Sequence, residues 1–318
     1  MPQPLQLRAM NAADLPRVVE LTNMVDPEPI DVENMRERMD NAPPWRIQQR
    51  VVAIDSDGGI VGFYTALHDS WLIAGHFWIH VIVDKAQRHL GVGTLLFDDA
   101  LKYVQQQNAT HIDSHVRDQC EECLQFAQHR GFSIEGHTFE SRLELATFDE
   151  ARFAGTIEAI EASGIRFFTL ADLSNTPEAQ RQLYEINRAF AADNPGNDRA
   201  GWEFQSFEAF NKNVFQASWF RADGQIIAAD GDKWVGMAAA GYLKNGNTML
   251  NAFTGVDRVY RGRKLALALK LQAIRYARKY GASSMLTNND SRNAPMLAIN
   301  NKLGYQREPG IYELVRKL

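Results

Sequence analysis

The chain is poor in cysteine, with 2 among 318 residues. That is too few for a disulfide framework and makes a reducing compartment, the cytoplasm, the expectation. It lacks any run of about 18 uninterrupted apolar residues, so no membrane partner or span is expected. Its first residues, MPQPLQLRAM, have no basic flank leading into an apolar core, and no secretory signal is read there. It has no excess of positive charge either: the formal net charge is −5, which argues against nucleic acid as a partner. What is present is a chain with 45% hydrophobic residues, long enough for two domains at about 150 residues each.

The sequence repeats itself. VDKAQRHLGVG starts at Val83 and VDRVYRGRKLA at Val256, and an offset of 173 relates Val83 to Val256, Asp84 to Asp257 and Arg88 to Arg261. The same offset relates Gly131 to Gly304 and Phe132 to Tyr305, in HRGF and KLGY. It also maps the helical stripe Val92, Leu96, Ala100, Tyr103 and Val104 onto Leu265, Leu269, Ala273, Tyr276 and Ala277. Each half reads as strand, helix, hairpin-like meander, strand, loop, amphipathic helix, strand, helix and terminal strand. That order predicts an α/β (α+β) fold with helices packed on a sheet. The domains are expected at 1–147 and 164–318, joined by a linker helix over 148–163 that Gly164 ends.

In the first half, strand residues HVIV lead through Arg88-His89-Leu90-Gly91-Val92-Gly93 into a helix. Such a junction suits an anion, because the first helical turn has unpaired N–H groups at the positive end of the dipole. Glycines let the backbone approach a diphosphate closely, and Arg88 adds a permanent charge. The spacing is neither the dinucleotide-binding G-x-G-x-x-G nor the G-x-x-x-x-G-K-[ST] of nucleotide hydrolases.

R-x-x-G-x-G after a strand, followed by the amphipathic helix and Arg130-Gly131-Phe132, resembles the GCN5-related N-acetyltransferase (GNAT) family. Y-R-G-R-K-L-A and N-D-S-R-N-A-P-M-L-A-I-N-N-K-L-G-Y carry the likeness in the second half. The resemblance implies two tandem domains, each with a mixed central sheet whose parallel strands splay apart into a cleft. It implies acetyl-CoA as acyl donor, an amine of a small molecule or peptide as acceptor, and no metal. Carried over by position, the diphosphate contacts are Arg88, His89, Gly91, Val92, Gly93 and Thr94 in the first half. In the second they are Arg261, Gly262, Arg263, Lys264, Leu265 and Ala266, with Asn293 from the second conserved segment. The strand ends Ile82–Val83 and Gly255–Val256 are expected to bond the pantetheine arm through their backbones.

The pattern has departures. Lys264 stands where the first half has Gly91, and marks either a degenerate loop or an added cation. The tyrosine that family members place four residues before the second-segment glycine is Ala127 in one half and Asn300 in the other, so the usual acid is missing. His80 is the candidate general base, or else a histidine paired on the sheet. The cleaner loop favours the first half for the cofactor, and the fuller second segment keeps the second half open. A non-catalytic CoA-binding module and an aminoacyl donor are the rival readings. The oligomeric state is open between monomer and homodimer.

Other constellations read more blandly. His111 and His115 sit four apart on a strand, roughly 13 Å, and cannot share a metal with Cys120 and Cys123. The basic run from Arg258 to Lys279 is expected to serve phosphates at the loop and otherwise to form a solvated helix face. Asp193–Asp198 is either an attractor for a cationic amine or a plain surface turn. Trp202, Trp219 and Trp234 read as packing residues.

Overall fold

The computed structural model describes residues 5–26, 29–197, 202–242 and 247–318. The chain divides into two units, Met1–Glu135 with Tyr312–Leu318, and Gly136–Ile311. In the first unit the chain runs β1 (Gln6–Ala9), α1 (Leu15–Asn23), α2 (Val32–Asp40), β2 (Ile47–Ile54), β3 (Ile60–His68) and β4 (His76–Val83). It continues through α3 (Val92–Gln106), β5 (His111–Arg117) and α4 (Glu121–Gln128). Strands β1 to β4 form an antiparallel meander, and β5 lies parallel to β4. A parallel neighbour needs a crossover, which α3 supplies.

Side-chain alternation decides what each face of this sheet meets. Val51, Ala53, Tyr64, Ala66, Phe77 and Ile79 cluster with Val92, Leu96, Ala100 and Val104 of α3. Val52, Phe63 and Ile82, on the opposite face, cluster with Val18 and Leu21 of α1. The helical stripe read from the sequence is thus the core face of α3, with only Tyr103 half-exposed. Beyond β5 the sheet takes Tyr312–Leu318, where the Leu318 N–H donates to the Thr110 carbonyl at 2.9 Å and Leu314 is buried.

The second unit begins within β6 (Ser133–Glu144) and continues with α5 (Thr156–Ala162), β7 (Ile165–Thr169), α6 (Pro177–Ala191) and the one-turn α7 (Phe207–Phe210). Then come β8 (Gln225–Asp230), β9 (Lys233–Tyr242), β10 (Thr248–Val256), α8 (Leu265–Lys279), β11 (Ser284–Asp290), α9 (Ala294–Leu303) and β12 (Gln306–Lys317). Its strand order is β6-β11-β10-β9-β8-β7, with β10 and β11 parallel. Leu265, Leu269, Ala273, Tyr276 and Ala277 of α8 are all buried in its core.

Sequence halves and structural units differ at the terminal strands. Residues 138–144 of β6 pair with β11, from Thr138↔Asp290 to Glu144↔Ser284, whereas Tyr312–Leu318, which includes the end of β12, belongs to the first unit. Both copies offer equivalent edges, so a repeat alone does not say which copy a terminal strand will join. The segment 148–163 also differs from a single linker helix. It is a 3-10 turn, Glu150–Phe153, followed by α5, with a break at Gly155 in the left-handed region at φ 76°. Phe148, Phe153, Ile157 and Ile160 bury it in the core of the second unit.

Candidate functional site

In both units the central parallel pair is short. β4 and β5 pair from His76↔His111 to Trp78↔Asp113 and then part; β10 and β11 pair from Thr248↔Ser284 to Leu250↔Leu286 and then part. A hydroxyl spans each fork. Ser114 Oγ donates to the Ile79 carbonyl at 2.8 Å, and Thr287 Oγ1 to the Asn251 carbonyl at 3.1 Å. These hydroxyls stand 173 residues apart, so the fork belongs to the repeat. Beyond it, strand backbone lacks a ladder partner on one side and is left for solvent or a ligand.

The strands β4 and β10 run into matching loops. Asp84 accepts from the Ala86 N–H at 2.9 Å and Asp257 from the Val259 N–H at 3.0 Å, each capping a 3-10 turn. Arg88 and Arg261 then donate through Nε to the strand-end carbonyls of Val83 and Val256, at 3.5 and 3.2 Å. Two residues per loop are left-handed: His89 (φ 63°) and Gly91 (88°), and Gly262 (77°) and Lys264 (64°). The backbone path is the same, with glycine at alternate positions. A non-glycine residue costs about 1 kcal/mol there, so each loop bears that strain once. Lys264 has therefore kept the loop's shape. A Cβ added at Gly91 or Gly262 would meet no atom within 4 Å, so both cradles are open. Val92, Gly93 and Thr94 in one, and Leu265 and Ala266 in the other, start helices whose first N–H groups have no intrahelical acceptor.

The loop cations are balanced differently in the two units. Glu122, in the first turn of α4, pairs with Arg88 and, at 3.3 Å, with His89. Hydrogen bonding from Arg88 chiefly holds its carboxyl below the usual range. Asp193, just past α6, pairs with both Arg258 and Arg261, which lower its pKa in the same way. The acidic turn therefore commits Asp193 to arginines, not to a cationic amine; Asp198 lies outside the described residues. Thr94 Oγ1 accepts from Arg130 at 2.6 Å, and the Arg263 guanidinium lies 5.3 Å from the Tyr260 ring centre.

The units differ most at the fork. β4 pairs with β3 without interruption from Gly62↔Val83 to Leu67↔Trp78. β10 has a bulge: Asn251 faces Ala240, Phe253 faces Ala239, and Ala252 is the extra residue. Ala252 is exposed even though β10 lies between β9 and β11. The Asn251 side chain is held on all sides. Its Nδ2 donates to the carbonyls of Ala239 and Phe253 at 3.1 and 3.0 Å, and its Oδ1 accepts from Thr254 at 3.1 Å and Lys270 at 2.7 Å. Lys270 is 1% exposed, and burial lowers its pKa to about 7. The expected solvated face of α8 is thus corrected at Lys270. A lysine between Leu269 and Leu271, matching Phe97 in the other half, was the available signal.

The remaining site residues take these places. Asn300, where the resemblance looks for an acid, is a buried amide donating to Asn289 Oδ1 at 2.6 Å. Its own Oδ1 and the buried Tyr305 hydroxyl have no hydrogen-bond partner among the described residues. Asn293 caps α9, accepting from the Met296 N–H at 3.3 Å. At Gly255 a Cβ would lie 2.7 Å from that of Phe190, so this strand end is glycine because α6 packs on it. Ile82 turns its side chain into the α1 core. His80 is half-buried, its ring 5.1 Å from those of Trp78 and His115. Burial first, and His115 second, depress its pKa to about 3, so it stays neutral and holds a proton poorly.

Cys120 and Cys123 are joined as a disulfide at the start of α4. Their ligand atoms and that of Glu122 lie within 4.8 Å of one another, but the sulfurs are bonded and Glu122 is engaged by Arg88. His111 stacks on His76 at 4.4 Å while His115 meets His80, so the histidines and cysteines of this region do not converge.

The profile of the acetyltransferase (GNAT) family matches residues 16–132 and again 182–305. A comparison with curated proteins gives no match. Among solved structures, the chain is similar to a GCN5-related N-acetyltransferase from Sphaerobacter thermophilus, with a TM-score of 0.64 and 17% identity over 98% of this chain and 95% of that one. It is also similar to a tandem GNAT protein from the clavulanic acid biosynthesis pathway, at 0.60 and 18% over 99% and 98%. A glucosamine N-acetyltransferase region in a fungal multi-domain GH3 β-N-acetylglucosaminidase gives 0.69 and 18%, covering 99% of this chain and 38% of that one. At such identities the likeness is one of fold. No described helix is long and apolar enough to cross a membrane. Each profile match spans one fork and one cradle, and the chain belongs to the acetyltransferase (GNAT) family, carrying its domain twice.

Proposed function

We propose that the protein is an acetyl-CoA-dependent N-acetyltransferase acting on an amine of a small molecule or peptide, and that its second unit carries the transfer step. The supporting observation is the bulge at Ala252, exposed beside the fork on the strand that runs into the α8 cradle. The residues fit the donor. Arg261, Arg263 and Lys264 supply cations, the space at Gly262 is open, and the first-turn N–H groups at Leu265 and Ala266 suit a diphosphate. Bound acetyl-CoA would supply an acyl group activated as a thioester.

The bulge takes Ala252 out of the ladder, leaving backbone N–H there to polarise a carbonyl lying in the fork. Lys270 and Thr254 fix Asn251, so this stretch of backbone is preorganised. β10 carries no carboxylate or imidazole, so this strand supplies no general base to the attacking amine. Positioning then carries much of the rate.

We read the first unit as binding without turnover. Its cradle of Arg88, His89 and Gly91 to Thr94, with the strand end Ile82–Val83, keeps the backbone path. Yet β4 is unbulged, and Glu122 pairs with Arg88 and lies 3.3 Å from His89. By descent each sequence half, 1–147 and 164–318, is one domain, with 148–163 between them.

Thiol release from acetyl-CoA over a panel of amines, aminoglycosides and peptide N-termini tests the reading, using wild type, Lys264→Glu and Gly91→Glu. Release with at least one acceptor is expected, falling tenfold or more in Lys264→Glu and persisting in Gly91→Glu. Loss in Gly91→Glu alone moves the step to the first unit. Binding of acetyl-CoA without release for any acceptor favours a non-catalytic module.

A further inference from the structure

The first unit holds a polar row that the proposed reaction does not use. Strand register places Arg50 of β2 opposite Thr65 of β3, and Thr65 opposite His80 of β4. Two residues beyond the last β4–β5 pair, His80 comes level with His115 of β5, and their rings stand 5.1 Å apart. Cross-strand partners share a face, so these four side chains form one row across four strands. The neighbouring row on that face, Val52, Phe63 and Ile82, is buried under α1. Arg50, Thr65, His80 and His115 each keep part of their surface open.

Charges around the row are paired, with one exception. Arg46 is held by Asp69 at 2.5 Å, Arg117 by Asp26 at 3.3 Å, and His76 by Asp113 at 2.8 Å. Among the described residues Arg50 has no carboxylate and no hydrogen-bond acceptor. Burial, and then the Arg46 charge, work against its charged form. A guanidinium stays charged nonetheless, and a partly desolvated cation with no counter-ion is unfavourable until an anion reaches it. His80 and His115 are both kept neutral by burial. The row therefore offers one permanent positive charge, a hydroxyl and two imidazoles.

We propose that Arg50, Thr65, His80 and His115 form a binding site for a small organic carboxylate, with Arg50 as the bidentate partner of its two oxygens. The planar fork of donors on arginine matches a carboxylate, and one arginine balances a single negative charge better than a phosphate dianion. The site lies in the first unit and does not depend on where, or whether, acyl transfer takes place.

Calorimetric titration with lactate, glutamate and inorganic phosphate, without acetyl-CoA, tests it on the full chain. Lactate or glutamate should bind wild type, at least tenfold more weakly in Arg50→Gln, and with an intermediate loss in Arg50→Lys. In proton NMR, a bound carboxylate should raise the proton affinity of His80 and His115. Should Arg50→Gln fail to fold, Thr65→Val keeps Arg50 in place and should show a several-fold loss. Equal affinity in wild type and these variants, binding of phosphate alone, or no binding at millimolar concentration overturns the proposal.

Discussion

Lys270 on α8 donates to Asn251 on β10 at 2.7 Å, joining the helix that rises from the second cradle to the bulge beside the fork. The ammonium is buried, and among the described residues Asn251 is its hydrogen-bond partner. Desolvation accounts for its depressed pKa, about 7. In the unfolded chain the same group keeps an ordinary value near 10.4.

That difference makes stability depend on pH with a definite sign. Between about pH 7 and 10 the unfolded chain binds the proton and the folded chain does not, so stability rises with pH. Below about pH 7 the folded state must carry a buried charge, and the full difference is on the order of 4 kcal/mol. Lys270→Met should flatten the rise between pH 7 and 10 and should be more stable than wild type at pH 6. Urea midpoints at pH 6, 8 and 10 check this. A variant with the wild-type slope would show that Lys270 is not the titrating group.

The cradles are legible in the sequence because everything they need is local. An aspartate cap, an arginine, a glycine at a left-handed position and an apolar helical stripe lie within about one strand–loop–helix length, and they occur twice. The partners of the loop cations are not local. Glu122 comes from 34 residues beyond Arg88, and Asp193 from 65 and 68 residues before Arg258 and Arg261, with no periodicity to mark them. The bulge leaves a faint trace, since Ile79 and Asn251 are 172 apart while Val83 and Val256 are 173 apart. The destination of Tyr312–Leu318 has no trace at all, because its alternating pattern suits the edge of either unit.

Glu122 sets how much positive charge the first cradle presents. Glu122→Gln removes the charge that pairs with Arg88 and His89 and leaves side-chain volume nearly unchanged. Affinity of the first unit for CoA or pyrophosphate should rise several-fold, with a steeper dependence on salt. Calorimetry at 50 and 300 mM salt, in a Lys264→Glu background that silences the second cradle, is the check. The gain in stability from the exposed ion pair is small, so the unfolding midpoint should barely move.

The two left-handed positions give opposite stability effects in the two loops. Lys264→Gly should stabilise by about 0.5–1 kcal/mol, because glycine relieves the positive φ. Gly91→Ala should destabilise by about 1 kcal/mol, although the added Cβ has open space around it. Denaturant titrations with unchanged slope are the measurement. If both substitutions shifted stability the same way, the shared backbone path would be wrong for one loop.

Deleting Ala252 tests the role of the bulge most directly, because the first unit already shows that an unbulged strand folds at this place. β4 runs regularly past its fork, with Ser114 spanning it as Thr287 does in the second unit. Without Ala252, β10 can pair with β9 in the same regular fashion, keeping the cradle and the fork hydroxyl while losing the backbone groups turned out of the ladder. The shortened protein should fold and bind acetyl-CoA within a few-fold of wild type. Its turnover should fall by about two orders of magnitude or more, the scale set by removing a preorganised donor to a reacting carbonyl. Circular dichroism, calorimetry and thiol release on one preparation separate these effects. Undiminished turnover in a folded deletion variant would remove the bulge from the chemistry and leave the charge balance at the two cradles as the difference between the units.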